Sequence, residues 1–172
     1  MIDFCQLRWW LYRGCSSEAE DTVRNILIVL ILAGFAAPGF GQAREEKTVQ
    51  SLIEGFLLRL GDHKFETLAA DFTPKAIIVV TRQRDGQWVN TYQTAEEWLE
   101  GLKKNPNPVT FREPITNVKV TIDSNQLAYL RADFQVMREG KPQSQGVDQF
   151  TLVREFSGWK IAMVAYTSMP TK

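Results

Sequence analysis

Ala128-Tyr129-Leu130-Arg131-Ala132-Asp133-Phe134-Gln135-Val136-Met137 decides the fold. Ala128, Leu130, Ala132, Phe134 and Val136 alternate with the residues between them. Successive side chains on a strand point to opposite faces, so the run describes a strand with one face against a core and Tyr129, Arg131 and Asp133 together on the other. The same period of two holds for Val118, Val120 and Ile122, for Phe150 and Leu152, and for Trp159, Ile161 and Met163. Turn signals at Asp123-Ser124-Asn125, Glu139-Gly140-Lys141-Pro142 and Ser157-Gly158 separate these runs. Four strands with short connections make an antiparallel meander, and a strongly twisted sheet curls around whatever covers its concave face.

The cover lies upstream. Val49, Leu52, Ile53, Phe56, Leu57 and Leu60 recur at three and four residues, which predicts a helix from about Glu45 to Leu60, ended by Gly61-Asp62. Asp62 is expected to cap a short second helix carrying Phe65, Leu68, Ala69 and Phe72, with Pro74 closing the unit. The β-branched run Ala76 to Thr81, the turn Asp85-Gly86 and the segment through Trp88, Val89 and Tyr92 read as a hairpin. Thr94 and Glu97 form a capping box for a third helix, Ala95 to about Lys103, with Trp98, Leu99 and Leu102 inward. The fold class is α+β: a cone-shaped curved antiparallel sheet wrapped around about three N-terminal helices.

The 172 residues, 44% hydrophobic and 23% charged, have the size and polarity of one domain. Twenty basic residues against 20 acidic ones remove any long-range attraction to nucleic acid or to an anionic membrane. Ile26 to Ala37 is an apolar run without a charge, followed by Pro38-Gly39 and by Gly41 and Ala43 at small-residue spacing before Arg44. That is the layout of a signal peptide, and it is too short for a membrane span. The expected division is 1–22 as misassigned upstream translation with Val23 as the true start, 23–43 as signal peptide, and 44–172 as the exported domain, periplasmic or secreted after cleavage near Ala43. The codon at position 23 tests the start. Contact with a membrane is expected only through this signal. Cys5 and Cys15 lie before the cut, and residues 44–172 hold 17 basic and 16 acidic side chains and one histidine, His63.

With helix, helix, hairpin, helix and meander in that order, the chain resembles the nuclear transport factor two-like superfamily, which includes ketosteroid isomerase, scytalone dehydratase and SnoaL-type cyclases. The residues that carry the resemblance are Phe56-Leu57-Leu58-Arg59-Leu60-Gly61-Asp62, Leu68-Ala69-Ala70-Asp71-Phe72, Asp85-Gly86 and Ser157-Gly158-Trp159-Lys160-Ile161-Ala162. The resemblance implies a small-molecule pocket at the open end of the cone, homodimerisation through the outer sheet face, and, in enzymes of this kind, proton transfer. It fixes no function, because one fold hosts many.

Proton transfer needs a carboxylate or imidazole held in an apolar pocket. The positions after Trp159 and Ile161, where cyclase-like members often carry histidines, are Met163 and Ala165, which move no proton. His63 is read as a solvated loop residue. Asp133 and Asp148 remain as candidate bases, with Tyr129, Tyr92 or Arg131 to polarise a substrate; the Arg131–Asp133 pair reads equally as a solvent-facing or interface pair. Asp71 is read as a local turn residue. Trp88, Tyr92, Trp98 and Met163 are candidate pocket residues, and the aromatic ones serve equally as core filler. No phosphate loop, dinucleotide fingerprint, nucleophile elbow or metal-ligand cluster occurs, so neither cofactor nor metal is expected. The sequence thus favours an exported domain that binds a small, partly apolar molecule or serves as a dimeric accessory module without catalysis. A cofactor-free isomerase or dehydratase is the first alternative, and a structural interaction module with a filled cone is the second.

Overall fold

The computed structural model describes residues 39–104 and 109–171. The apolar run, both cysteines and the segment 1–38 lie outside the described residues. Helix α1 spans Gly39–Gly61, a single turn α2 spans Phe65–Leu68, and a 3-10 turn covers Ala69–Asp71. Strands β1 (Phe72–Arg84) and β2 (Gln87–Thr94) form the hairpin, and α3 (Ala95–Lys104) follows. The meander is β3 (Ile115–Asp123), β4 (Leu127–Arg138), β5 (Lys141–Glu155) and β6 (Gly158–Pro170).

The six strands form one sheet in the order β2-β1-β6-β5-β4-β3. All pairs are antiparallel except β1 with β6, which joins the hairpin to the meander. That single parallel pair has no local sequence signature, because its partners are some 85 residues apart. The concave face carries Ala128, Leu130 and Ala132 of β4 and Phe150 and Leu152 of β5. It packs on Val49, Ile53 and Phe56 of α1, all nearly or fully buried. An α+β cone is therefore the fold, and burying these apolar faces is its main stabilisation, about 25 cal/mol per Å² removed from water.

The local signals act as expected at α3. The Thr94 N–H donates to Glu97 Oε2 at 2.8 Å and the Glu97 N–H donates to Thr94 Oγ1 at 3.1 Å. Elsewhere the chain departs from the sequence reading. Asp62 does not cap α2, whose N-cap is Lys64 without a side-chain bond; it pairs with Arg112 at 2.7 Å. Pro74 lies inside β1, at an exposed position where the ladder to β6 skips from Phe72 to Ile77, so its missing N–H costs no sheet bond. Asp71 forms an ion pair with Arg59 of α1. The cut expected after Ala43 falls within α1. Two residues later Glu45 accepts from Trp159 Nε1 at 3.1 Å and from Arg154 at 3.0 Å, tying that turn to the sheet.

Candidate functional site

Between the C-terminal half of α1, α3 and one end of the sheet lies a cavity of about 320 Å³. Its helical wall includes Phe56, Leu60 and Trp98, and its sheet wall Phe134, Asp148, Phe150 and Tyr166. This is the size range of small-molecule sites.

Asp148 is 2% exposed, the one buried charged residue among those described. On β5 it follows the inward set Phe150 and Leu152 by the strand period, and its Cα partner on β6 is Tyr166. Its Oδ2 is buried without a conventional donor. The group hydrogen-bonded to Asp148 is a second carboxyl, that of Glu113. Burial raises both above the usual carboxylate range; for Asp148 the facing charge of Glu113 adds to the effect, while the hydrogen bond from Asp148 partly offsets it for Glu113. Two carboxylates in contact cannot both ionise cheaply, so the pair holds a shared proton at neutral pH.

Glu113 is held by its flanks. The Phe111 N–H donates to the Gly61 carbonyl at 3.1 Å, and Arg112 exchanges two backbone bonds with Met137 at 2.9 and 2.7 Å. A Cβ on Gly61 would stand 2.3 Å from the Phe111 oxygen, so only glycine lets this segment cross the end of α1 so closely. The sequence reading did not consider Glu113, which sits in an irregular stretch between Pro108 and Pro114. A signal was present: Phe111, Glu113 and Ile115 alternate, and two apolar neighbours at spacing two carry the acid inward with them.

Tyr166 completes the group. Its hydroxyl is hydrogen-bonded by Arg82, and burial, with smaller contributions from Glu113 and Asp148, keeps its pKa above the ordinary phenol value despite that arginine. Its inward orientation comes from a β-bulge. Thr151 pairs with Met163 but Leu152 pairs with Ile161, so Ala162 is an extra residue on β6. The alternation flips there: Trp159 and Ile161 are buried, then Val164, Tyr166 and Ser168 face the cavity. Met163 turns outward at 37% exposure, and the inward Met163 and Ala165 expected from uninterrupted alternation are corrected by this one residue.

Of the other sequence candidates, Trp98 lines the cavity and stacks on Phe56 with ring centroids 6.4 Å apart. Tyr129, Arg131 and Asp133 lie on the other face of β4 from the core-facing Leu130 and Ala132, away from Asp148. There Asp133 pairs with Arg131 at 2.6 Å and accepts from Asn117 at 2.7 Å, and these bonds hold its carboxyl below the usual range. Trp88 and Tyr92 stand on the edge strand β2, 49% and 70% exposed, outside the cavity. His63 sits half-buried in the turn after α1, where it lines the cavity and stacks on Phe65 with ring centroids 5.3 Å apart. Among the described residues no group of three or more His, Cys, Asp or Glu is arranged to hold a metal ion.

The fold is an α+β cone whose cavity carries Glu113 and Asp148 on its wall. Residues 42–165 match the SnoaL-like domain family, and the chain belongs to it. No curated protein matches the sequence. Among solved structures, a protein of unknown function from Mycobacterium tuberculosis aligns with a TM-score of 0.63 at 20% identity, over 78% of each chain. A candidate scytalone dehydratase from Novosphingobium aromaticivorans aligns at 0.56 and 15% identity, over 73% of this chain and 85% of its own. The beta subunit of a candidate aromatic-ring-hydroxylating dioxygenase from the same organism aligns at 0.62 and 13%, over 76% and 92%. At these identities the likeness is one of fold.

Proposed function

We propose that the protein is a cofactor-free proton-transfer enzyme, an isomerase or dehydratase acting on a small, partly apolar carbonyl compound. The observation that carries this reading is the Glu113–Asp148 carboxyl pair at the cavity wall beside Tyr166, Asp148 buried and Glu113 half-buried. A carboxyl pair that retains one proton supplies both a base and an acid at neutral pH. In the proposed step Glu113 takes a proton from the carbon next to the substrate carbonyl. Asp148 keeps the shared proton and holds the Glu113 carboxyl in place. The electrons of the broken C–H bond move onto the carbonyl oxygen, and the Tyr166 hydroxyl, oriented by Arg82, donates to that developing enolate. Glu113 then returns the proton to another carbon of the conjugated system, which isomerises it, or the enolate electrons expel the hydroxyl at the β carbon, which takes up the proton from Glu113 and leaves as water, so that the substrate is dehydrated and the base restored.

The test is deuterium exchange at the acidic carbon of 2-tetralone in heavy water, followed by NMR. The wild type should accelerate exchange over buffer, and Glu113→Gln should lower the acceleration by about 100-fold or more, the usual contribution of a positioned base. Exchange no faster than buffer would leave non-catalytic binding in the same cavity as the surviving reading.

Export and pairing belong to the same proposal. The run Ile26 to Ala37 supports export with cleavage after Ala43, and the exposed Ile77, Met163 and Tyr129 support a homodimer through the outer sheet face. Native mass spectrometry of the exported protein reads both: a mature chain starting at Arg44 and a doubled mass are expected, and a full-length monomer would refute them.

A further inference from the structure

Four arginines of this domain, Arg59, Arg112, Arg131 and Arg154, are paired with Asp71, Asp62, Asp133 and Glu45. Arg138 is not. It is the last residue of β4, follows Phe134 and Val136 on the face that lines the cavity, and sits at the cavity's rim beside the Glu139-Gly140 turn. Its guanidinium lies over the Phe111 ring, 5.9 Å from the centroid. Its Nε is buried without an acceptor, and no ion pair involves it among the described residues. A guanidinium is permanently charged, and a buried N–H without an acceptor is costly. Arg82, the other arginine on the cavity wall, is engaged with the Tyr166 hydroxyl, so Arg138 is the cavity arginine with an unspent donor, lying over an aromatic ring.

We propose that the ligand of this cavity is an aromatic carboxylate, its carboxylate gripped by Arg138 and its ring lying along Phe111 and Trp98 toward the acid pair. Planar guanidinium and planar carboxylate match in two parallel hydrogen bonds, and Nε is one of the donors of that fork. The cavity volume of about 320 Å³ fits one or two fused rings. The inference rests on the reading of this cavity as the working site, and it adds the charge of the substrate.

The test is calorimetric titration of the full protein with 2-naphthoate and with 2-naphthamide, which share a shape and differ in charge. Wild type should bind naphthoate at least tenfold more tightly than the amide, and Arg138→Gln should erase that preference while leaving the amide affinity within twofold. Asp148→Asn should keep the preference, since the carboxylate grip lies elsewhere. Equal affinity for the two probes, binding of neither, or an unchanged preference in Arg138→Gln would overturn the proposal. In unsubstituted protein the Arg138 Nε–H resonance should move on adding naphthoate and stay in place with the amide, so the outcome does not depend on how the variant folds; a static resonance counts against the proposal. The two proposals fail separately: 2-tetralone exchange without naphthoate preference removes only the carboxylate, and preference without exchange removes only the proton transfer.

Discussion

The acid pair makes stability fall as pH rises from 5 to 7, a window in which most folded domains are indifferent to pH. In the unfolded chain Asp and Glu titrate near 3.9 and 4.3. In the folded domain burial and mutual charge raise both Asp148 and Glu113. The raised groups contribute stability that is complete below the unfolded values and is lost as pH climbs through the folded ones. Between pH 5 and 7 the folded state holds at least one proton that the unfolded chain has released. Each such proton costs about 1.4 kcal/mol per pH unit, so about 3 kcal/mol is lost over the window. For a domain of this size that lowers Tm by about 10 °C. The described carboxyls with depressed values, Glu45, Glu97 and Asp133, titrate below this range, and Tyr166 titrates above it. Thermal unfolding followed by circular dichroism at constant ionic strength from pH 5 to 9 measures the slope. The double variant Glu113→Gln/Asp148→Asn should flatten it and be the more stable protein at pH 8. A wild-type Tm that is level or rising from pH 5 to 7, or a double variant with the wild-type slope, would refute the shared-proton reasoning.

Tyr166→Phe removes the hydroxyl proposed to meet the enolate and should cut 2-tetralone exchange about 100-fold with little change in Tm, measured by the same NMR assay. Gly61→Ala drives a Cβ to 2.3 Å from the Phe111 oxygen, so the 111–113 segment must shift; Tm should drop by several degrees and exchange should fall with it, although the residue touches no substrate. Thr94→Ala removes the Oγ1 acceptor of the Glu97 N–H, leaves the backbone N–H of residue 94 to Glu97, and should cost about 1 kcal/mol in chemical denaturation without altering exchange.

The fold was legible because its signals are local and redundant. The alternation around Leu130, the spacing through Ile53 and the Thr94–Glu97 box each specify an element from neighbouring residues. The site was legible only in part. Asp148 and Trp98 ride on regular elements whose faces follow from the period, and both came out as candidates. Glu113 sits outside any regular element, and its meeting with Asp148 depends on a crossing at Gly61 that is long-range in sequence. Tyr166 was hidden for another reason: alternation is a sound rule until a bulge interrupts it, and nothing in Ile161-Ala162-Met163 announces one. The same extra residue sends Met163 outward, so one unseen irregularity accounts for a candidate that misses the cavity and for the tyrosine that was overlooked.

That extra residue at Ala162 makes the chemistry of this cone a matter of reading phase. Were the bulge flattened with the residue kept, Met163, Ala165 and Thr167 would look inward in place of Val164, Tyr166 and Ser168, whereas loss of the Ala162 codon would remove the bulge and leave those three inward, because Met163 would then follow Ile161 directly and face out. Relatives should accordingly be compared on this strand by which residues face inward in space, since an ungapped alignment across Ala162 would set an outward side chain against an inward one.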